Sequence, residues 1–272
     1  MANRRSVSKS GNASPRADRL TDEVALADLM KRVSAKNGQQ RQEPLPDPTQ
    51  WAIRPDHGSD QGLFEELCFH MFSAGFSGEV VRKKWPATRQ AFKDFAPDAV
   101  ARIRESTITQ LANDKGLIRN RRKLRAVVDN AKQVLALAGE FGSFRAWLDS
   151  FPTDALHLAH GEIAKRFACV GPSAAEWFLL TSGYDYYFAT DHARRMLFRL
   201  GLTSREKPSR EELNAVFMAL AAATGTSPWA ASAELFLFAS GFRLTEAICA
   251  EQVPLCPKCP LWDHCDHFNQ RR

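Results

Sequence analysis

A chain of 272 residues with 44% hydrophobic side chains is long enough to bury one large core or two small ones. No apolar run reaches the length needed to cross a bilayer, and no secretory apolar segment precedes the first charged stretch, so a soluble chain is expected. The 37 Lys and Arg against 31 Asp and Glu leave a formal charge of +6 and a pI near 9.1, which permits a polyanionic partner without requiring one.

In chain order, residues 1–50 read as a basic, disordered tail and linker. Arg4, Arg5, Lys9, Arg16 and Arg19 face Asp18 alone among Ser, Asn and Pro, too few apolar groups to offset the entropy of ordering. A short helix over 21–36 is compatible with the spacing of Leu20, Val24, Leu26, Leu29 and Met30, and 39–50, with three prolines, reads as a linker. From Trp51 onward the pattern is helical. Phe64, Leu67, Cys68, Met71 and Phe72 form a buried stripe at i, i+3, i+4, i+7 and i+8. Further helices are predicted over 79–84, 87–94, 97–103, 107–112, 119–139, 143–149, 153–158, 161–167, 172–182, 191–200, 209–224 and 228–247. No segment sustains a period of two, so the fold class is all-α.

Two helices flank the tight turn Cys169-Val170-Gly171, with Pro172 opening the second, as in a helix-hairpin-helix. In that arrangement Val170 tucks inward while the N–H groups around Gly171 and Ser173 meet a DNA phosphate. Downstream, Cys249, Cys256, Cys259 and Cys265 are spaced C-x6-C-x2-C-x5-C. Four thiolates converging from one loop suit a [4Fe–4S] cluster. A four-cysteine zinc site or disulfides are the alternatives, although the spacing differs from two C-x2-4-C pairs separated by a dozen or more residues. Cys68 and Cys169 stand alone on apolar runs and read as small buried hydrophobes.

These motifs resemble the helix-hairpin-helix DNA glycosylases. The cysteine loop is similar to that of the endonuclease III branch. Residues 63–151 resemble 3-methyladenine DNA glycosylase I, through Leu63-Phe-Glu-Glu-Leu-Cys, Ser73-Ala-Gly-Phe-Ser, the run from Phe92 to Val100, Gly116-Leu-Ile-Arg-Asn-Arg and Phe141-Gly-Ser-Phe. The resemblance implies a helical barrel-like domain over 62–184 carrying the hairpin, and an iron–sulfur helical domain from 51–61 and 185–272. It implies double-stranded DNA as partner, a monomer, no membrane, and a cytoplasmic (nucleoid) or otherwise DNA-containing reducing compartment. The activity it implies is base excision repair by a DNA glycosylase that flips and hydrolyses a damaged or alkylated base. The alternative is a non-catalytic iron–sulfur DNA-binding or damage-sensing protein.

Breaking an N-glycosidic bond calls for a carboxylate near the sugar to stabilise oxocarbenium character. Counting forward from the hairpin, the family's Asp falls on Asp191; counting back from His192, Arg195 and Gly201, it falls on Thr190. Asp191 is taken as catalytic because Thr190 offers no anion, with an N-cap role as the other reading and Asp185 in reserve. Bifunctional relatives carry a lysine where Ser173 stands, and serine cannot form the imine that leads to strand cleavage, so no lyase activity is expected. His70 occupies the place of the family's base-contacting acid and Gly78 that of its stacking aromatic, while the family's cysteine–histidine zinc site has no counterpart. His70 and Tyr187 are the base-pocket candidates. Arg119, Arg121 and Arg122, within a run of six cations from Lys115 to Arg125, are the candidate phosphate contacts.

Overall fold

The computed structural model describes residues 17–41, 43, 47–54 and 58–270, and among them every regular element is helical. The basic residues Arg4, Arg5, Lys9 and Arg16 lie outside the described residues. In chain order the helices are α1 (Ala17–Thr21), α2 (Glu23–Gly38), α3 (Asp60–Ser73), α4 (Gly78–Ala91), α5 (Pro97–Ala101), α6 (Glu105–Leu111) and α7 (Arg121–Phe141). They continue with α8 (Phe144–Asp149), α9 (Leu156–Arg166), α10 (Pro172–Thr181), α11 (Asp191–Arg199), α12 (Arg210–Thr224), α13 (Pro228–Ser240) and α14 (Asp266–Asn269). The chain divides into two compact units: a central one of Pro44–Phe188 with Ser227–Trp229, and a terminal one of Met1–Glu43, Ala189–Thr226 and Ala230–Arg272.

The central unit is organised around α3, which is buried from Gly62 to Phe72 and packs against α4, α7, α8 and α10. Ser59 starts it by accepting from Gly62 N at 3.1 Å. Phe64, Phe72, Trp85, Phe95, Phe144 and Phe178 fill the core, each worth about 1.5–3 kcal/mol when buried. Burying α3 on all sides also buries Glu65, which receives the Trp85 indole N–H at 2.8 Å and pairs with Arg54 at 3.2 Å and Arg89 at 3.0 Å. Burial pushes the Glu65 carboxyl up, against the pull of these donors.

Local signals misplaced several boundaries. The expected break near Pro86 does not occur, because Val81, Trp85 and Thr88 bury one face of a continuous α4. Helix 87–94 stops at Ala91: Lys93, Asp94 and Phe95 turn left-handed, with φ of 54°, 53° and 59°, which brings Phe95 onto Trp85 at 5.2 Å. Gly161 lies inside a single α9, whose Leu156, Ala159, His160 and Ile163 form one buried stripe. Helix 228–247 ends at Ser240, because Gly241 (φ +69°) lies so close to the returning chain that a Cβ there would be 2.7 Å from Ala247 N.

The boundaries drawn from the sequence also shift. Residues 51–61, expected with the cysteine loop, lie in the central unit. Residues 17–38, expected as tail with a short helix over 21–36, form α1 and α2 and belong to the terminal unit. Leu26, Leu29, Met30 and Val33 of α2 are buried, and α2 packs against α12. Polar side chains complete the attachment. Asn37 Nδ2 donates to Glu234 Oε2 at 2.6 Å, and Arg41 pairs with the same carboxylate at 2.8 Å. Arg32 reaches Asp263 at 3.0 Å and the Pro260 carbonyl at 3.1 Å, and Arg19 pairs with Asp266 at 2.7 Å. Composition alone misjudges this segment because its apolar stripe is short and its partners are distant in sequence.

Candidate functional site

The hairpin sits in the central unit, where α9 and α10 are joined by residues 167–171. Val170 is buried, and Ala174 and Ala175 are buried at the start of α10. Gly171, Pro172 and Ser173 are exposed, and the N-cap residue Gly171 makes no side-chain cap bond to α10. Its first N–H groups are thus available to an anion, reinforced by the helix dipole. Gly171 has φ −86°, and a Cβ there would meet nothing within 4 Å, so the glycine leaves open space in front of those donors. Cys169 instead takes the left-handed conformation, φ 60°, that glycine adopts freely. Its half-buried place at the bend differs from the buried apolar role expected for it.

Of the six cations, only some are uncommitted. Arg121 and Arg125 both pair with Glu105. Lys123 donates to the carbonyls of Phe72 at 3.2 Å and Ala74 at 2.5 Å, closing the C-terminus of α3. Burial lowers its pKa, against the influence of the Cys169 thiol. Arg119 and Arg122 are exposed and remain the candidates for phosphate contact; Arg121 is partly neutralised by Glu105.

His70 is buried, 8% exposed, on the face of α3 toward α10. Its Nε2 lies 2.9 Å from Glu66 Oε1 and 2.8 Å from Thr181 Oγ1. The Thr181 hydroxyl has the Trp177 carbonyl at 2.8 Å as acceptor. The other Glu66 oxygen accepts the Ile53 N–H at 2.8 Å. Burial pushes the Glu66 carboxyl up, but the hydrogen bond and charge of His70, the Ile53 amide and Thr181 outweigh it and hold it below its ordinary value. A carboxylate only accepts, so Nε2 carries the hydrogen and Nδ1 is the ring nitrogen left to read a ligand.

Beside this pair stands a half-buried aromatic group whose tryptophans sequence reasoning missed, although Phe188 belongs to the aromatic run it singled out. The Trp177 ring stacks parallel to His70 at 6.4 Å, Phe188 lies 4.8 Å from Trp177, and Trp51 is edge-on to both Trp177 and Trp229 at 5.7 Å. These tryptophans are scattered between positions 51 and 229 and show no shared period; only their residue type hinted at a site. Tyr187 is displaced from the role expected of it. It is 2% exposed and stacked at 4.3 Å on Tyr186, a core position that leaves no free face for a base.

In the terminal unit, Thr190 caps α11 by accepting from Ala193 N at 3.1 Å, so the cap role considered for Asp191 falls to its neighbour. The Asp191 side chain is 88% exposed and 3.4 Å from Arg194. Asp185, the reserve candidate, lies in the central unit, its carboxyl pushed up by partial burial. Arg199 of α11 donates to the carbonyls of Ala250 at 2.7 Å and Glu251 at 2.9 Å and to Cys249 Sγ at 3.4 Å. The four loop cysteines are half-buried free thiols. Burial pushes the Cys259 thiol up, and Cys249, Cys265 and Cys256 add to the shift, so the four lie within electrostatic reach of one another. Among the described residues, no group of three or more His, Cys, Asp or Glu side chains is arranged to hold a metal ion.

Residues 47–174 match the family model described as methyladenine glycosylase. The core is methyladenine-glycosylase-like. This core holds the hairpin turn, His70, Glu66 and Trp51, whereas Asp191 and the cysteines lie beyond the match. The DNA-3-methyladenine glycosylase of Haemophilus influenzae is 38% identical over 98 residues, covering 36% of this chain and 52% of that protein. DNA-3-methyladenine glycosylase 1 of Escherichia coli is 35% identical over 88 residues, covering 32% and 46%. The chain thus spans about half the length of the curated relatives it matches. A solved endonuclease III trapped as a DNA covalent intermediate is 17% identical, with a TM-score of 0.50, over 92% of this chain and 98% of that one. That likeness concerns the fold alone, and it bears out the all-α, helix-hairpin-helix fold expected from the sequence.

Proposed function

We propose that this protein is a monofunctional DNA glycosylase of base excision repair that takes a damaged, alkylated base out of double-stranded DNA and hydrolyses its N-glycosidic bond. The observation that carries the reading is the methyladenine-glycosylase-like central unit, in which an uncapped hairpin helix accompanies an aromatic group beside a buried Glu66–His70 pair. The hairpin around Val170, Gly171 and Ser173 holds a phosphate, with Arg119 and Arg122 adding charge. Trp177 and its aromatic neighbours offer π-faces, and Glu66 adds fixed negative charge. Both suit a base made cationic by alkylation. His70 reads the base edge through Nδ1.

Hydrolysis joins a water oxygen to the sugar C1′ as the C1′–N bond breaks. The bonding pair leaves with the base, and the water proton passes to a base. Asp191, exposed and freed from capping, is assigned the carboxylate role of stabilising the oxocarbenium charge and accepting that proton. Ser173 provides no amine, so the strand stays intact.

Cys249, Cys256, Cys259 and Cys265 hold a [4Fe–4S] cluster in this reading. The donor set fits: four thiols grouped in one loop, with an arginine donating to one sulfur. The cluster supplies binding energy that keeps the C-terminal loop folded, and its thiolates suit a reducing, DNA-containing compartment.

Duplexes containing alkylated purines, uracil, hypoxanthine or oxidised pyrimidines, assayed with and without alkali, test the reading. Release of an alkylated base with breaks only after alkali supports it, and Asp191→Asn is expected to abolish release while retaining binding. Tight binding with no release from any duplex would instead establish a non-catalytic iron–sulfur DNA-binding protein.

A further inference from the structure

The hairpin turn contains a contradiction that α7 resolves. Cys169 holds a left-handed φ of 60° without being glycine, a conformation that a side chain with a Cβ adopts only when its surroundings enforce it. The enforcing group is Asn130, 1% exposed on α7. Its Oδ1 accepts the Ala168 N–H at 2.7 Å, and its Nδ2 donates to the Ala168 carbonyl at 3.1 Å. Both backbone groups of the residue before Cys169 are therefore held by one buried side chain. Asn130 Nδ2 also lies 3.6 Å from Met71 Sδ, which ties the bracket to the core helix α3. On the far side of the bend, His160 Nε2 lies 2.8 Å from the Pro172 carbonyl, and Val170 N donates to Phe167 O at 3.3 Å.

We infer that Asn130 is a positioning residue for DNA binding: its two-pronged grip on Ala168 holds Cys169 in the left-handed bend and so aims the N–H groups at the start of α10 toward a phosphate. The inference rests on the functional reading above, since it assigns that turn a phosphate. It also explains how the hairpin forms with cysteine where glycine would need no help. Only the full amide side chain serves both backbone groups. Aspartate at 130 still accepts from Ala168 N but cannot donate to Ala168 O, and leucine does neither.

The test measures binding of the full chain to a duplex carrying an abasic-site analogue, across a salt series, for wild type, Asn130→Leu, Asn130→Asp and Cys169→Gly, and for Asn130→Leu combined with Cys169→Gly. Asn130→Leu is expected to weaken binding about tenfold, and to flatten the dependence of log K on log salt by about 0.9, one phosphate contact. Asn130→Asp should fall between. Cys169→Gly should restore most of the affinity and slope to the leucine variant, because glycine takes the bend unaided. A loss of core packing alone would change the melting temperature without changing the salt slope, and Cys169→Gly would not repair it. If Asn130→Leu fails to fold, the Asp variant and its combination with Cys169→Gly carry the same comparison. Wild-type affinity and slope in the Asn130 variants, or no rescue by Cys169→Gly, overturn the inference while leaving the glycosylase reading intact. Absence of duplex binding by the wild type overturns that reading and this one with it.

Discussion

The central and terminal units reach order by different routes. The central unit is one nearly continuous stretch whose key helix, α3, is buried on every side, so apolar packing dominates and its polar groups are paired inside it. The terminal unit is assembled from both ends of the chain, and its cysteine loop contains little regular structure beyond a single turn at Cys256–Lys258. That loop is held by side chains from elsewhere: Arg32 on Asp263 and Pro260, Arg19 on Asp266, Arg199 on Ala250 and Glu251. A packed helix keeps its shape because its neighbours exclude water, whereas an irregular loop needs discrete ties or a bound cofactor. The first kind of order tolerates the loss of one contact; the second is concentrated in a few atoms.

The largest expected effect follows from that concentration. If the loop holds the proposed cluster, Cys259→Ser should remove its brown colour and iron entirely, with hydrogen exchange rising over 249–265 and staying low in α3. Full iron retention would remove Cys259 from the ligand set. Next in size is Glu66→Ala, which leaves His70 buried with Thr181 as its remaining acceptor and strips the Ile53 N–H of its own, and should cost about 3–5 kcal/mol of stability. Chemical denaturation read through tryptophan fluorescence measures it, and iron content should not change. If iron were lost along with stability, the two units would not be energetically separate.

A smaller effect distinguishes the units by pH. The folded Glu66 carboxyl titrates below its ordinary value, so the unfolded chain takes up its proton first. The stability Glu66 contributes is fully present above the unfolded value, about 4.3, and is lost as pH falls through the folded one. Glu66→Gln should flatten the acid limb of the stability–pH curve, and an unchanged limb would mean that other carboxylates dominate it. The smallest effect concerns α12, where Ser209 caps the helix by accepting from Glu212 N at 3.2 Å. Ser209→Ala should cost about 1 kcal/mol, with faster exchange confined to the first turn of α12.

Much of the fold was legible in the sequence, because helical periodicity and cap residues are local. The stripe from Phe64 to Phe72, Pro172 at the start of α10 and the grouped cysteines all lie within short windows. Only the tertiary structure showed that α2 belongs to a core, that Tyr187 is buried, that Thr190 rather than Asp191 caps α11, and that Lys123 closes α3 instead of remaining exposed. The same holds for the aromatic group of Trp51, Trp177 and Trp229 and for the grip of Asn130 on Ala168, whose members are tens of residues or more apart. A sequence window records what each residue favours locally. Which distant residue becomes its partner is settled when the chain buries its apolar faces, because every polar group buried with them must then find a donor or acceptor nearby.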